Sequence, residues 1–432
     1  GLAFEVGAVG HNLTESQFGI ASVKFRWNLS GSYQQVIPRY VSTDPDGKEE
    51  REFLNDVFPD MKTLANAIFL KGYQWPFDPR KIRGYGSSLI DLLVYRESVI
   101  RKRRVFLDFM HNPGTDGRLE RFSLDLLGPE AYAYLEKSGA LKRTPIQRLA
   151  RMNRPAIALY RRHGIDLSKE YLEIAVCAQH NNGGLKGNIW WESNIRHLFP
   201  VGEVNGTHGV YRPGGSALNS GQVGGIRAAL FISRRYTQKP LSLNAFRRMA
   251  EAQVLERMDF VRRVQDGETG REVQDVIEEI RERMSACGAC IRDPKRVRRE
   301  LRNARRLWSE VKQGLRFSAK TDIPSGFRAQ DLCLTHLFYL EAIAEYIARG
   351  GQSRGSYLVL NPEGEKPCPS VEDEWRFRLN QKGAFVEKKI LEVWMDPRGR
   401  IRRKWVDIRP IPQEGAWFET VWNRFLRDEI IR

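Results

Sequence analysis

Hydrophobic and polar positions change their period several times along the chain, and each change marks a predicted element. Residues 1–40 alternate in short runs, as in Ile20-Ala-Ser-Val-Lys-Phe-Arg-Trp27, which predicts strands. Residues 52–72 and 87–104 carry helical spacing. Val105-Phe-Leu-Asp108 is a predicted short strand that ends in the turn-forming His111-Asn-Pro-Gly114. From 123 to 165 the pattern is helical again, with turns at Gly128-Pro129 and Gly164. Tyr171-Leu-Glu-Ile-Ala-Val176 is a predicted strand that leads into a glycine-rich block. Beyond the block, Phe246, Met249, Ala250, Val254, Met258 and Val261 form one apolar stripe. Asp293-Pro294 is a helix start, with Asp as N-cap and Pro at the first helical position. A further helix covers 329–348 and stops at Gly350-Gly351. From 356 onward strands prevail, and Ile390 to Ile408 places a Pro/Gly turn between two alternating runs, a predicted hairpin.

A chain of 432 residues holds two or three domains, each large enough to bury a core. No run of about 18 apolar residues occurs, so no membrane span is expected. The first residues, Gly1-Leu-Ala-Phe-Glu-Val-Gly-Ala8, read like the middle of a helix-to-strand connection. An N-terminal part, with any targeting signal, is therefore expected to precede them. Cys177, Cys287, Cys290, Cys333 and Cys368 are an odd number spread along the chain, which fits reduced thiols in a cytoplasmic protein. Cys287-Gly-Ala-Cys290 has redox or metal-ligand spacing but lacks a second ligand pair near by, so packing positions on a helix are expected and no metal. The formal charge of +17 concentrates in Arg101-Lys-Arg-Arg104 and in residues 281–316. Single-stranded nucleic acid would also require exposed aromatics among the charges. The one aromatic of 281–316, Trp308, continues the helical series Val297, Leu301, Ala304 and Val311, which faces it toward a core. A solvated basic face, or one docking an acidic partner or the N-terminal domain expected to precede the chain, is expected in place of a nucleic-acid interface.

Chemistry concentrates between His180 and Ala229: His180-Asn-Asn-Gly-Gly184, Phe199-Pro-Val-Gly-Glu203, Thr207-His-Gly-Val-Tyr-Arg212-Pro-Gly-Gly-Ser-Ala-Leu218 and Gln222-Val-Gly-Gly-Ile-Arg-Ala-Ala229. Glycines this dense allow backbone amides to approach a flat or charged ligand. The helix expected to follow would add its N-terminal dipole to the same site. A surface loop also favours glycine, but has no need of two histidines, a glutamate and an arginine among them.

In order and spacing this block resembles the flavoprotein family of fumarate reductases, succinate dehydrogenase flavoprotein subunits and L-aspartate oxidases. The shared features are His180 with Gly183-Gly184, Gly202-Glu203, and His208-Gly209 with Arg212, Gly214-Gly215 and Ala217-Leu218. Weaker echoes are Gly7 to Thr14, Tyr95-Arg96-Glu97 upstream of Phe106-Leu-Asp108, and Gln352-Ser-Arg-Gly355. The resemblance implies FAD as cofactor, bound by Gly202, Glu203, His208, Gly214, Gly215, Ser216, Ala217 and Leu218. It implies that His180 and Arg212 hold a substrate carboxylate, and that Arg96, on a capping helix, moves the proton while hydride passes between flavin and substrate. A bidentate guanidinium matches a carboxylate, and positive charge there stabilises the enolate-like transition state of hydride addition. Two departures point away from fumarate itself. Leu13 to Ser22 lacks the substrate-holding histidine of the family's dicarboxylate enzymes, and Asn181 replaces the usual Tyr or Met. The Gly-x-Gly-x-x-Gly loop that grips a dinucleotide pyrophosphate is absent from the chain.

The expected fold class is α/β plus α: the remainder of a Rossmann-like FAD domain with an inserted capping domain, then a helical domain and a small β region. The expected divisions are 1–40 and 170–235 for the FAD domain, 41–169 for the cap, 236–350 for the helices and 351–432 for the strand-rich end. The expected function is an FAD-dependent oxidoreductase acting on a small carboxylate-bearing substrate, with an electron-transfer protein as partner. The alternative is a non-catalytic flavoprotein-like subunit that docks through its basic face.

Overall fold

The computed structural model describes all residues except 267–269, 317–322, 412, 414, 416 and 431–432. Strands β1 (Ser16–Ser22), β2 (Arg39–Thr43), β3 (Arg104–Asp108) and β4 (Leu172–Asn181) form one antiparallel sheet in the order β1-β4-β3-β2. Helices α1 (Met61–Lys71) and α2 (Ser87–Tyr95) share one core with it, in which Leu64, Ile68, Leu89 and Leu93 join Ile20, Leu107 and Ile174.

Helix α1 is shorter than the periodicity of 52–72 suggests. Pro59 restricts the residue before it to extended backbone, and the Asp60 carboxylate accepts from the Thr63 amide at 2.6 Å, fixing the start. The pattern over 87–104 is cut short at its other end. A π turn at Arg96–Ile100 closes α2, and the chain re-enters the sheet at Arg104. Between α1 and α2 lies a fully buried ion pair, Lys71 Nζ to Asp91 Oδ2 at 2.5 Å.

A second sheet joins segments far apart in sequence. The predicted hairpin forms from β5 (Lys389–Met395) and β6 (Ile401–Asp407), and β5 pairs with Gly10–His11, which pairs in turn with Gly184–Leu185. The hairpin therefore belongs to the same sheet as the glycine-rich block and the first residues of the chain. The division expected at residue 40/41 falls inside β2.

The helical layer comprises α3 (Ser216–Arg235), α4 (Leu243–Asp266), α5 (Val273–Arg283), α6 (Pro294–Gln313) and α7 (Ile323–Ala348). Helix α6 starts as its sequence dictates, with the Asp293 carboxylate accepting from the Lys295 amide. Val297, Leu301 and Ala304 on α6 pack against Leu337, Leu340 and Ile343 on α7. Phe4 stacks on Phe338 with centroids 4.2 Å apart, tying the start of the chain to α7.

Much of the basic charge of this layer is matched by acid. Arg283 meets Glu279 and Glu300, Arg305 meets Glu341 and Arg271 meets Glu310. Cys287 lies in a π turn after α5 and packs in the same core as Leu301 and Leu337. Burial pushes its thiol up to about 12 and raises that of Cys290 as well, so both stay protonated. Among the described residues no group of three or more His, Cys, Asp or Glu side chains is placed to hold a metal ion. The α4 stripe does not enter a core along its length: Phe246, Met249, Val254 and Met258 are all exposed.

His336 on α7 makes this layer sensitive to acid. Burial, and then the neighbouring Arg283 guanidinium, push its imidazole from 6.5 down to about 4. The unfolded chain then binds a proton that the folded chain refuses. The stabilisation is complete above pH about 6.5 and is lost as pH falls through the window toward 4. His336→Gln is expected to flatten the fall in urea-unfolding stability between pH 7 and 4, an effect on the order of 3 kcal/mol at most. An unchanged pH slope would show that His336 titrates normally.

Candidate active site

Strand β4 delivers His180 from the core to the site. Its lower half, Leu172 and Ile174, is buried in the sheet core, and its upper end carries His180 and Asn181. His180 lies directly opposite Gln17 of β1, beside a bulge at Gln17/Phe18 that shifts the register. Paired residues point to the same face, so the amide of Gln17 and the imidazole of His180 emerge together.

Gln17 grips Arg212 at both ends. Its Nε2 donates to the Arg212 carbonyl at 3.0 Å, and its Oε1 accepts from Arg212 Nε at 2.9 Å. Arg212 Nη1 also donates to the Pro213 carbonyl at 3.0 Å. A neutral amide thus orients the guanidinium without cancelling its charge.

His180 and His208 meet edge to face, with centroids 4.7 Å apart. Asn182, fully buried, faces His180 Nδ1 through its Oδ1 at 3.0 Å and donates from Nδ2 to the Val210 carbonyl at 3.2 Å. Glu203 accepts from the Asn181 amide at 2.8 Å, and its other oxygen stands 3.9 Å from His180 Nε2. The Nε2 atoms of His180 and His208 are buried and lack a hydrogen-bond partner. Burial lowers the pKa of both imidazoles. Glu203 and Asn182 oppose the effect at His180, while the His180 ring adds to it at His208. Both rings are therefore neutral at pH 7, each able to offer one N–H or one lone pair.

The glycines divide into two kinds. A side chain at Gly183 would meet the Asn12 backbone at 2.1 Å, so this glycine serves close packing of the chain on itself. Gly215, at φ +79°, starts α3 in the left-handed region with open space around it, and no side chain caps the helix. Gly214 and Gly215 are exposed, as is Leu218. The first N–H groups of α3, from Ser216, Ala217 and Leu218, therefore point their partial positive charge outward, the usual setting for an anion or a polar ring edge. Gly202 and Glu203 lie in a short 3-10 turn facing the same region.

The structure thus brings together His180, Glu203, His208 and Arg212. The partners of Arg96 are other residues. Arg96 lies in the π turn at the end of α2, where Nη1 donates to Glu372 Oε2 at 3.2 Å and Nε stands 3.9 Å from Glu97. These partners belong to an ion-pair cluster with Arg101, and neither is shared with His180 or Arg212. Residues that sequence patterns did not single out are Gln17 and Asn182. The role of Gln17 follows from the β1–β4 register, which joins positions some 160 residues apart in the chain, and that of Asn182 from its contacts with His180 and the Val210 carbonyl. Gln352-Ser-Arg-Gly355 has a structural part behind the site. Arg354 donates to the buried Glu15 at 2.8 Å, and Gly355 and Ser356 line a cavity of about 260 Å³ that opens beside Gln17 and Arg212.

No family model matches the chain. One component of the fumarate reductase (CoM/CoB) of Methanothermobacter marburgensis is 28% identical over 229 residues, 51% of this chain and 38% of that protein. An uncharacterized FAD-dependent oxidoreductase of Methanocaldococcus jannaschii is 26% identical over 227 residues, again 51% of this chain and 38% of the relative. The match thus spans well under half the length of either relative. A quinol-fumarate reductase with menaquinol molecules superposes with a TM-score of 0.61 at 17% identity, covering 96% of this chain and 62% of that one. The chain is a homologue of proteins named fumarate reductase and FAD-dependent oxidoreductase, and it has the mixed α/β fold of the fumarate reductase flavoproteins.

Proposed function

We propose that this chain forms the flavin-facing and substrate-holding part of an FAD-dependent oxidoreductase. It would exchange hydride with a small carboxylate-bearing substrate other than fumarate, and pass electrons to or from a partner protein. The observation that carries the proposal is the convergence of His180, His208, Glu203 and an amide-oriented Arg212 beside the uncapped start of α3. Two buried imidazole nitrogens without partners fit a polar ligand that completes them.

FAD, when bound, supplies the hydride acceptor or donor. The residues that would hold it are Gly214 and Gly215, the amides of Ser216 to Leu218, and Gly202, Glu203 and His208. Glu203 offers a carboxylate oxygen to hydroxyl donors. Arg212 orients the substrate carboxylate and disperses its growing negative charge, and neutral His180 adds one hydrogen bond. The proton role that the resemblance assigns to Arg96 gains no support from its ion-paired surroundings.

The product of the full-length gene is expected to purify with bound flavin, seen as flavin absorbance. Gly215→Val forces a β-branched side chain into positive φ and is expected to lower flavin affinity by about tenfold, or ~1.4 kcal/mol, with far-ultraviolet circular dichroism unchanged. A folded full-length protein that holds no flavin and does not take it up would favour the non-catalytic docking role and sink the enzyme proposal.

A further inference from the structure

The cavity beside Arg212 also limits what the acid can be. Gln17 and Arg212 line it, together with the loop from Trp75 to Asp78 and Lys81. On β1, two residues beyond Gln17, stands Gly19. A side chain there would meet the Trp75 indole at 2.5 Å, so the indole fills the space that any larger residue would need. The indole N–H is spent, because Nε1 donates to the Ile20 carbonyl at 3.1 Å. What Trp75 shows the cavity is therefore hydrocarbon.

Its neighbours add to the same character. Pro76, Val210 and Pro213 line the space, and Tyr211 has its ring covered by the Arg80 guanidinium 3.8 Å from its centroid. Asp78 and Lys81 both line it, and Arg80 holds the Asp78 carboxylate through Nε and Nη2, so a second carboxylate placed there would meet an acid already paired and a single ammonium. Arg212 is clamped by the neutral Gln17 amide, which leaves its guanidinium charged.

We propose that the acid held by Arg212 is a monocarboxylate whose other end is apolar, and that Trp75, seated over Gly19, selects that end. The inference rests on the acid-holding role given to Arg212 above. Burial of an alkyl arm against the indole contributes affinity in proportion to area, whereas a second carboxylate must give up its hydration beside the indole and the prolines, with Lys81 alone to offset that cost.

The test is calorimetric titration of the full-length protein with hexanoate, trans-2-hexenoate, succinate and fumarate. The six-carbon monoacids are expected to bind about tenfold or more tightly than the four-carbon diacids. Trp75→Ala is expected to abolish that preference and Trp75→Phe to keep most of it. The Phe variant guards against a merely unfolded Ala variant. Diacids binding more tightly, above all if Lys81→Met removes their advantage, would overturn the inference and leave Arg212 as an acid clamp. So would a preference unchanged in folded Trp75→Ala. If none of the four acids binds, the acid-holding role itself fails, and the inference with it.

Discussion

Arg212→Met is expected to lower kcat/KM by about a hundred- to a thousandfold, ~3–4 kcal/mol of transition-state stabilisation, while flavin stays bound. The side chain is anchored by Gln17 and Pro213 through Nε and Nη1, and its charge is not neutralised by that anchoring. In the proposed role, truncation would remove both the hydrogen bonds to the substrate carboxylate and the cation that offsets its growing charge. Lysine is not expected to rescue, because an ammonium cannot hold the Gln17 amide and a carboxylate in one plane. Gln17→Leu tests the clamp separately. It leaves the charge but frees its orientation, and a smaller loss of about tenfold is expected, mostly in kcat. Steady-state kinetics on the full-length protein decide the matter, and an Arg212→Met enzyme within tenfold of wild type would remove Arg212 from the mechanism.

The second large effect is on stability. Lys71→Met alone is expected to cost about 3–5 kcal/mol, because it leaves the Asp91 carboxylate buried without its ammonium. Desolvation already strains the pair: it lowers the pKa of Lys71 and raises that of Asp91. The double variant Lys71→Met with Asp91→Leu puts hydrocarbon on both sides of the α1–α2 contact and is expected to recover most of the loss. Urea unfolding of the four proteins gives the coupling directly. Equal and additive losses in the two single variants would mean that the charges are solvated and the pair is not a unit.

The glycine-rich block was legible in the sequence because its chemistry is written contiguously: His180, Glu203, His208 and Arg212 fall within 33 residues and converge in space. Helix starts with a local signature were legible for the same reason, as at Asp293-Pro294. What depends on distant partners was not. Gln17 becomes a positioning residue only because β1 pairs with β4, and nothing near residue 17 announces it. Arg96 was placed by analogy with a helix, but its surroundings are decided by Glu372, which lies 276 positions away. Periodicity alone also misjudged where a pattern ends. The apolar spacing before α1 belongs to turns closed by Pro59 and Asp60.

Strand β4 carries a lesson for how such a site can diversify. Its side chains alternate between faces, so the gain or loss of one residue between Ile174 and His180 would turn the imidazole away from Gln17 and empty core positions at the same time. A change in the proposed acid is therefore expected to be tolerated only where no register is at stake. Trp75 contacts β1 from outside that pairing, so its exchange for another residue is expected to leave Gln17 opposite His180.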